Sequence, residues 1–159
     1  MIANIRVHAD GQSSSLCQLD IMKYPKEAIE ARMVERGFSG ESFFICGFED
    51  WQVDTMMSLD EAYLLRRVIE GLYAGDDFII VHCLKNHWSV SDIISHHYCF
   101  VTKDEVQLMT KILNQCEMSS VVEFFYKANN WVTAVQAYIE KGVVLNTTRG
   151  FYVDVDNVL

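Results

Sequence analysis

The chain has 159 residues, 50% of them apolar, with one proline and eight glycines, which supplies ample material for a buried core and excludes collagen-like, linker-like and disordered character. No apolar run approaches the ~20 residues of a membrane span, and the opening MIANIRVHAD lacks the charged and apolar regions of a signal peptide, so a soluble cytoplasmic protein is expected. The net charge of −9 disfavours direct binding to nucleic acid and favours cationic partners.

In chain order, residues 4–8 read as a short strand, Asp10-Gly11 as a turn, and the alternation of 16–22 as a second strand. Pro25 stands where a first helical residue belongs, and KEAIEARMVER follows it to a terminating Gly37. Residues 42–48 give a third strand, which ends in the acidic, aromatic-bearing loop FEDWQVD. These elements make a ββαβ unit, a three-stranded antiparallel sheet under one helix.

Ser58-Leu59-Asp60-Glu61 is a capping box, and Ala62, Leu65, Val68, Ile69 and Leu72 follow as one apolar stripe. The opposite face carries Asp60, Tyr63, Arg66, Arg67 and Glu70, where either arginine can pair with Glu70. The apolar run 78–83 is predicted as strand, 89–95 as a short helix and 98–101 as another strand. Two further capping boxes, Thr102 to Glu105 and Ser120 to Glu123, open helices. The first places Val106, Met109, Ile112 and Leu113 on one face, and Asn129-Asn130 breaks the second. Residues 131–141 form a last helix, with Val132, Val135, Tyr138 and Ile139 inward and Gly142 as its cap. A hairpin of 143–145 and 151–155 closes the chain. The expected class is α+β, with antiparallel sheets and helices interspersed.

Cys17, Cys46, Cys83, Cys99 and Cys116 are odd in number, widely spaced and without a CxxC pair, as reduced cysteines in a core are. His82, Cys83, His87, His96, His97 and Cys99 lie within 18 residues, and imidazole and thiolate are zinc ligands. Their spacing matches no regular zinc pattern, and the expectation is no metal and no cofactor. No GxSxG, P-loop, GxGxxG or HExxH occurs, and adjacent carboxylates such as Glu49-Asp50 point to opposite faces of an extended strand, so no catalytic residues are assigned. The charge itself is uneven. Residues 38–77 hold nine acids against Arg66 and Arg67, net −7, whereas 1–37 balance at five and five and 78–159 carry eight acids and six bases. Duplex DNA presents one charge per ~1.7 Å, so net −7 imitates roughly 12 Å of it. Trp51, an aromatic among carboxylates, suits an interface anchor, or packs back onto the sheet.

The order of these features resembles the ArdA antirestriction proteins of conjugative elements and phages. The matching stretches are IAN at 2–4, Gly11, the helix after Pro25, FEDW at 48–51, SLDEAYLL at 58–65, VQAYIEKG at 135–142 and NTTRGFYVDV at 146–155, so the resemblance spans nearly the whole chain. It implies a non-enzymatic, elongated acidic homodimer in the cytoplasm of a bacterial host, each chain built as three successive subdomains: 1–56, a mixed middle 57–101, and a helical 102–159 with its hairpin. Such a protein imitates bent B-form DNA and occupies the DNA groove of a type I restriction–modification enzyme, chiefly its methyltransferase and specificity core. The acids it assigns to that surface are Glu49, Asp50, Asp54, Asp60, Glu70, Asp76 and Asp77, with Trp51 among them, and it places dimerisation from about Trp131 onward. The chain departs from the family in its smaller net charge, its His- and Cys-rich centre, and the interruption of the acidic face by Arg66 and Arg67. These departures keep two alternatives in view: an inhibitor of another nucleic-acid-directed defence system, such as an RNA-guided nuclease, or a general acidic protein–protein interaction module.

Overall fold

The computed structural model describes residues 1–9, 12–39, 42–114, 116–127 and 131–156. The turn expected at Asp10-Gly11 and the break expected at Asn129-Asn130 lie outside them. The class is α+β, with two antiparallel sheets of four and three strands. The chain divides into two compact units, Met1–Ile94 and Ser95–Leu159, where the sequence suggested three subdomains.

The first unit is built on strands β1 (Ile2–Ala9), β2 (Gln12–Asp20), β3 (Phe43–Phe48) and β4 (Val53–Met57), in the order β2-β1-β3-β4. Alternation along β1 sends Ala3, Ile5 and Val7 to the buried side. Their partners on β3 are Phe48, Ile45 and Phe43, all buried. Ile45 and Phe48 are an odd number of residues apart and would face opposite sides of a regular strand. Cys46 is the extra residue that corrects the phase, because the pairing steps from Asn4↔Gly47 to Ile5↔Ile45. The fourth strand corrects the three-stranded expectation. Val53 and Met57 are buried while Asp54 is exposed, so the stretch read as acidic loop is a hairpin whose turn is 49–52. Gly47 is obligatory there, since a Cβ on it would lie 2.4 Å from the Val53 carbonyl oxygen.

Helix α1 (Lys26–Glu35) follows Pro25, which sits in extended conformation just ahead of it. It ends at Gly37 (φ 85°), whose N–H bonds Val34 while the Phe38 N–H bonds Met33, the paired bonds of a Schellman ending. Helix α2 (Leu59–Leu72) starts at the expected capping box: Ser58 Oγ accepts from the Glu61 N–H at 3.2 Å, and Glu61 accepts from the Ser58 N–H at 2.8 Å. Ala62, Leu65 and Ile69 form its buried stripe.

Residues 78–83 are not strand but the body of α3 (Phe78–Lys85), followed by α4 (Val90–Ile94). Ile79, Ile80, Cys83 and Leu84 are buried at the i, i+1, i+4, i+5 spacing of one helix face, a pattern that a six-residue apolar run does not separate from a strand. Hydrogen bonds also cross the boundary suggested after residue 56. Tyr63 Oη and Arg66 Nη1 both donate to the Tyr24 carbonyl, at 2.5 and 3.0 Å, and Arg66 Nη1 also donates to the Ile21 carbonyl at 2.8 Å, so α2 is bound to the segment between β2 and α1.

The second unit pairs β5 (Tyr98–Thr102) with β7 (Gly150–Asp154), and β7 with β6 (Val144–Thr147). Because β5 lies in the C-terminal sheet, the boundary suggested after residue 101 cuts through a strand. Its core joins Leu108, Met109 and Ile112 of α5 (Glu105–Leu113), Ala134 and Val135 of α7 (Trp131–Glu140), and Val144, Phe151 and Val153 of the sheet. Two of the expected capping boxes are corrected. Asp104, not Thr102, caps α5 by accepting from the Gln107 N–H at 2.8 Å, while Thr102 remains in the strand. Ser120 lies inside α6 (Met118–Lys127) and caps nothing at its start. Val106 and Val132, expected inward, are 62% and 68% exposed. Gly142 (φ 73°) ends α7 as expected, its N–H on Ile139 and the Val143 N–H on Tyr138.

Candidate functional site

The acidic segment is organised by the β3–β4 turn. Gln52 takes a left-handed φ of 52°, and its N–H bonds back to the Glu49 carbonyl at 3.2 Å. This geometry turns Trp51 inward and leaves Glu49 and Asp50 outside. Trp51 is 5% exposed, its ring centroid 4.6 Å from that of Phe48, and its Nε1 donates to Asp77 Oδ2 at 2.7 Å. The structure therefore corrects two of the surface assignments. Trp51 is a core residue, and Asp77 satisfies the one polar atom that a buried indole brings with it. A partner meets neither as a free group.

The remaining acids fall into two kinds. Asp50 accepts from the Ile2 N–H at 2.7 Å and lies 2.7 Å from the Met1 amino group. Partial burial disfavours its charge, but the Met1 ammonium and the Ile2 N–H outweigh that, and its carboxyl is held below the usual carboxylate range. Asp60 on α2 is paired with Lys26 of α1, which also bonds Glu30 at 3.2 Å. Glu70 receives Arg66 Nε at 2.9 Å, so Arg66 does not so much interrupt an acidic face as neutralise one member of it. Asp60 and Glu70 are ten residues apart on α2, about 15 Å along its axis.

Among the described residues, Glu49 and Asp54 are exposed members of the set with no ion pair to a cation, and Asp76 is exposed as well. Glu49 ends a polar row across the open face of the sheet, in which Gln18 Nε2 donates to Asn4 Oδ1 at 3.0 Å and Asn4 Nδ2 reaches Glu49 at 3.5 Å. Asp76 Oδ1 accepts from the Phe78 N–H at the start of α3. No local spacing announces Lys26 as the neutraliser of Asp60, or Asp20, whose Oδ1 lies 3.9 Å from the Met1 amino group and adds a further acid near Asp50.

The His- and Cys-rich stretch is divided between the two units. His82, Cys83 and His87 belong to the first, and His96, His97 and Cys99 to the second. Among the described residues no group of three or more His, Cys, Asp and Glu is arranged to hold a metal ion. Cys83 is 1% exposed, and burial pushes its thiol up to about 12. Burial lowers the His82 pKa.

One arrangement in the second unit has the outline of a nucleophile, base and orienting acid. Ser95 Oγ is 2.9 Å from His96 Nδ1, and His96 Nε2 is 3.9 Å from Asp154 Oδ2. At 3.9 Å the second contact is not a hydrogen bond. The fully buried Asp154 is engaged by the backbone, accepting from the His97 N–H at 3.1 Å and the Asp156 N–H at 3.2 Å. The carboxylate ties the start of β5 to the end of β7. Tested against models of known protein families, against curated proteins and against solved structures, the chain finds no match.

Proposed function

We propose that the protein is a non-enzymatic, DNA-mimicking antirestriction inhibitor of the ArdA type. It occupies the DNA-binding groove of a type I restriction–modification enzyme and protects incoming phage or mobile-element DNA. The observation that carries this reading is the concentration of charge, net −7 over residues 38–77, with Glu49 at the tip of the β3–β4 turn and Asp54 on the strand behind it, both exposed and without an ion pair among the described residues. An acidic surface of this kind is attracted to a cationic groove and repels DNA itself.

The internal pairing of Asp60 with Lys26 and of Glu70 with Arg66 favours a second reading, a smaller acidic face directed at another nucleic-acid-directed defence protein. The two differ in target and share a mechanism: occupancy of a cationic channel.

The deciding experiment is competition between the protein and duplex DNA for a purified type I methyltransferase–specificity core over a series of salt concentrations. The double variant Glu49→Lys/Asp54→Lys should unfold within about 1 kcal/mol of wild type, as surface changes do. It should displace DNA at least ~10-fold less effectively and with a shallower salt dependence. Equal displacement by wild type and variant moves the contact surface elsewhere. No displacement by either, together with unprotected plating of unmodified phage, turns the search to other defence enzymes.

A further inference from the structure

The first unit holds a cavity of about 220 Å³ between β2 and α1. Cys17 and Leu19 pair with Ile5 and Ala3, so they stand on the covered side of the sheet, where they line this space. Ile29 and Met33 of α1 are buried and close it from the other side. The space exists because Cys17 and Ala28, both short, stand where a close-packed interior would take larger side chains. Tyr24 completes the wall, and its carbonyl is fixed by Tyr63 Oη and Arg66 Nη1, so the wall stands preformed.

The charge along the lining is of one sign. Arg32 and Arg36, both exposed, line the cavity one turn apart on α1, and no acidic side chain shares the lining. Among the described residues neither arginine has an ion pair, in contrast to Lys26 with Asp60 and Arg66 with Glu70. Burial raises the Cys17 thiol and outweighs the nearby Arg36 guanidinium, so the cysteine stays neutral and offsets neither cation. Both arginines suit the negative end of α1, but that end carries only about half a charge against their two. An excess of positive charge therefore remains over an apolar recess.

We propose that this cavity binds a small monocarboxylate with an apolar body, its carboxylate held by Arg32 and Arg36 and its body over Leu19, Ile29 and Met33. Guanidinium groups take a carboxylate through paired N–H donors, which a lone apolar groove cannot do. The volume lies below the ~300–1,000 Å³ of sites for drug-sized ligands, so the occupant has about ten non-hydrogen atoms and is not a peptide segment or a two-chain lipid. A ligand of that size binds with a dissociation constant on the order of a few hundred micromolar. The site shares no residue with the acidic set, and the inference is independent of the antirestriction reading.

Backbone amide NMR of the full chain, titrated with sodium octanoate to about 5 mM at low ionic strength, tests it. Octanoate should give saturable shifts centred on residues 17–19 and 28–36. Octylamine, with the same chain and the opposite charge, should bind at least ~10-fold more weakly, and so should acetate, which has the head without the chain. Arg32→Gln/Arg36→Gln should weaken octanoate about 10-fold or more with an unchanged thermal midpoint, since both side chains are exposed. Ala28→Trp, which fills the space from an exposed helix position, should abolish the shifts while the rest of the amide spectrum stays folded. No saturable shift by 5 mM overturns the proposal, as do shifts centred elsewhere in the chain. Octylamine or acetate binding as tightly as octanoate overturns it too, and so does a double glutamine variant or an Ala28→Trp chain that binds like wild type.

Discussion

The acidic segment of the first unit and helix α6 of the second make opposite use of their surfaces. The segment is crowded with carboxylates, yet Asp60, Glu70, Asp50 and Asp77 are each held by a partner from the same unit, and its one tryptophan is buried. Helix α6 is ordinary in composition, yet its Met118, Val122 and Tyr126 lie open. Abundance of a residue type is therefore a poor guide to what a surface offers. What the fold places opposite each side chain decides it, and that depends on residues far away in sequence.

The comparison is most easily broken at Trp51. If this residue belongs to the core, Trp51→Ala should cost about 3–5 kcal/mol of stability in urea unfolding. Asp77→Leu, which strands the indole N–H, should cost about 1–3 kcal/mol. A Trp51→Ala variant as stable as wild type would return the residue to the surface.

A second test uses the buried thiol of α3. Cys83 is raised from 9.0 to about 12 in the folded chain, so its contribution is fully present below pH 9 and is lost as pH rises toward about 12, because the unfolded thiol ionises first. Stability should fall in that window by up to about 1.4 kcal/mol per pH unit. The difference between wild type and Cys83→Ala should carry this slope. Parallel profiles for the two proteins would mean that Cys83 is not shielded.

The smallest effect sharpens the acidic side. Lys26→Met releases Asp60 without touching the turn, and an unpaired carboxylate adds to the field that meets a cationic partner. Competition with DNA should strengthen by a small factor, about two to five at low salt, and the gain should vanish at high salt. An equal gain at both salt concentrations would trace the change to packing instead.

The legible parts of this fold were those written in local spacing. The Ser58–Glu61 capping box, the glycine endings at Gly37 and Gly142 and the closing hairpin each draw on residues a few positions apart, and each stands where the sequence put it. The α3 run escaped because helix and strand write the same short apolar word. The cap of α5 moved from Thr102 to Asp104 because pairing of Thr102 with Phe151 keeps the threonine in the sheet. The acidic site was legible as a concentration of charge but not as a surface, since the Trp51–Asp77 bond spans 26 residues and the Lys26–Asp60 pair joins two helices, with nothing periodic to announce either.

The extra residue in β3 has a consequence for how this chain can vary. Cys46 is only half-buried, and its place in the count is what lets Ile45 and Phe48 both meet β1 from the buried side. Exchange of the side chain is therefore tolerable, whereas loss of one residue at this point turns Phe48 to the open face and carries Trp51 and the acidic tip with it. Length, more than identity, is what this strand needs at that point.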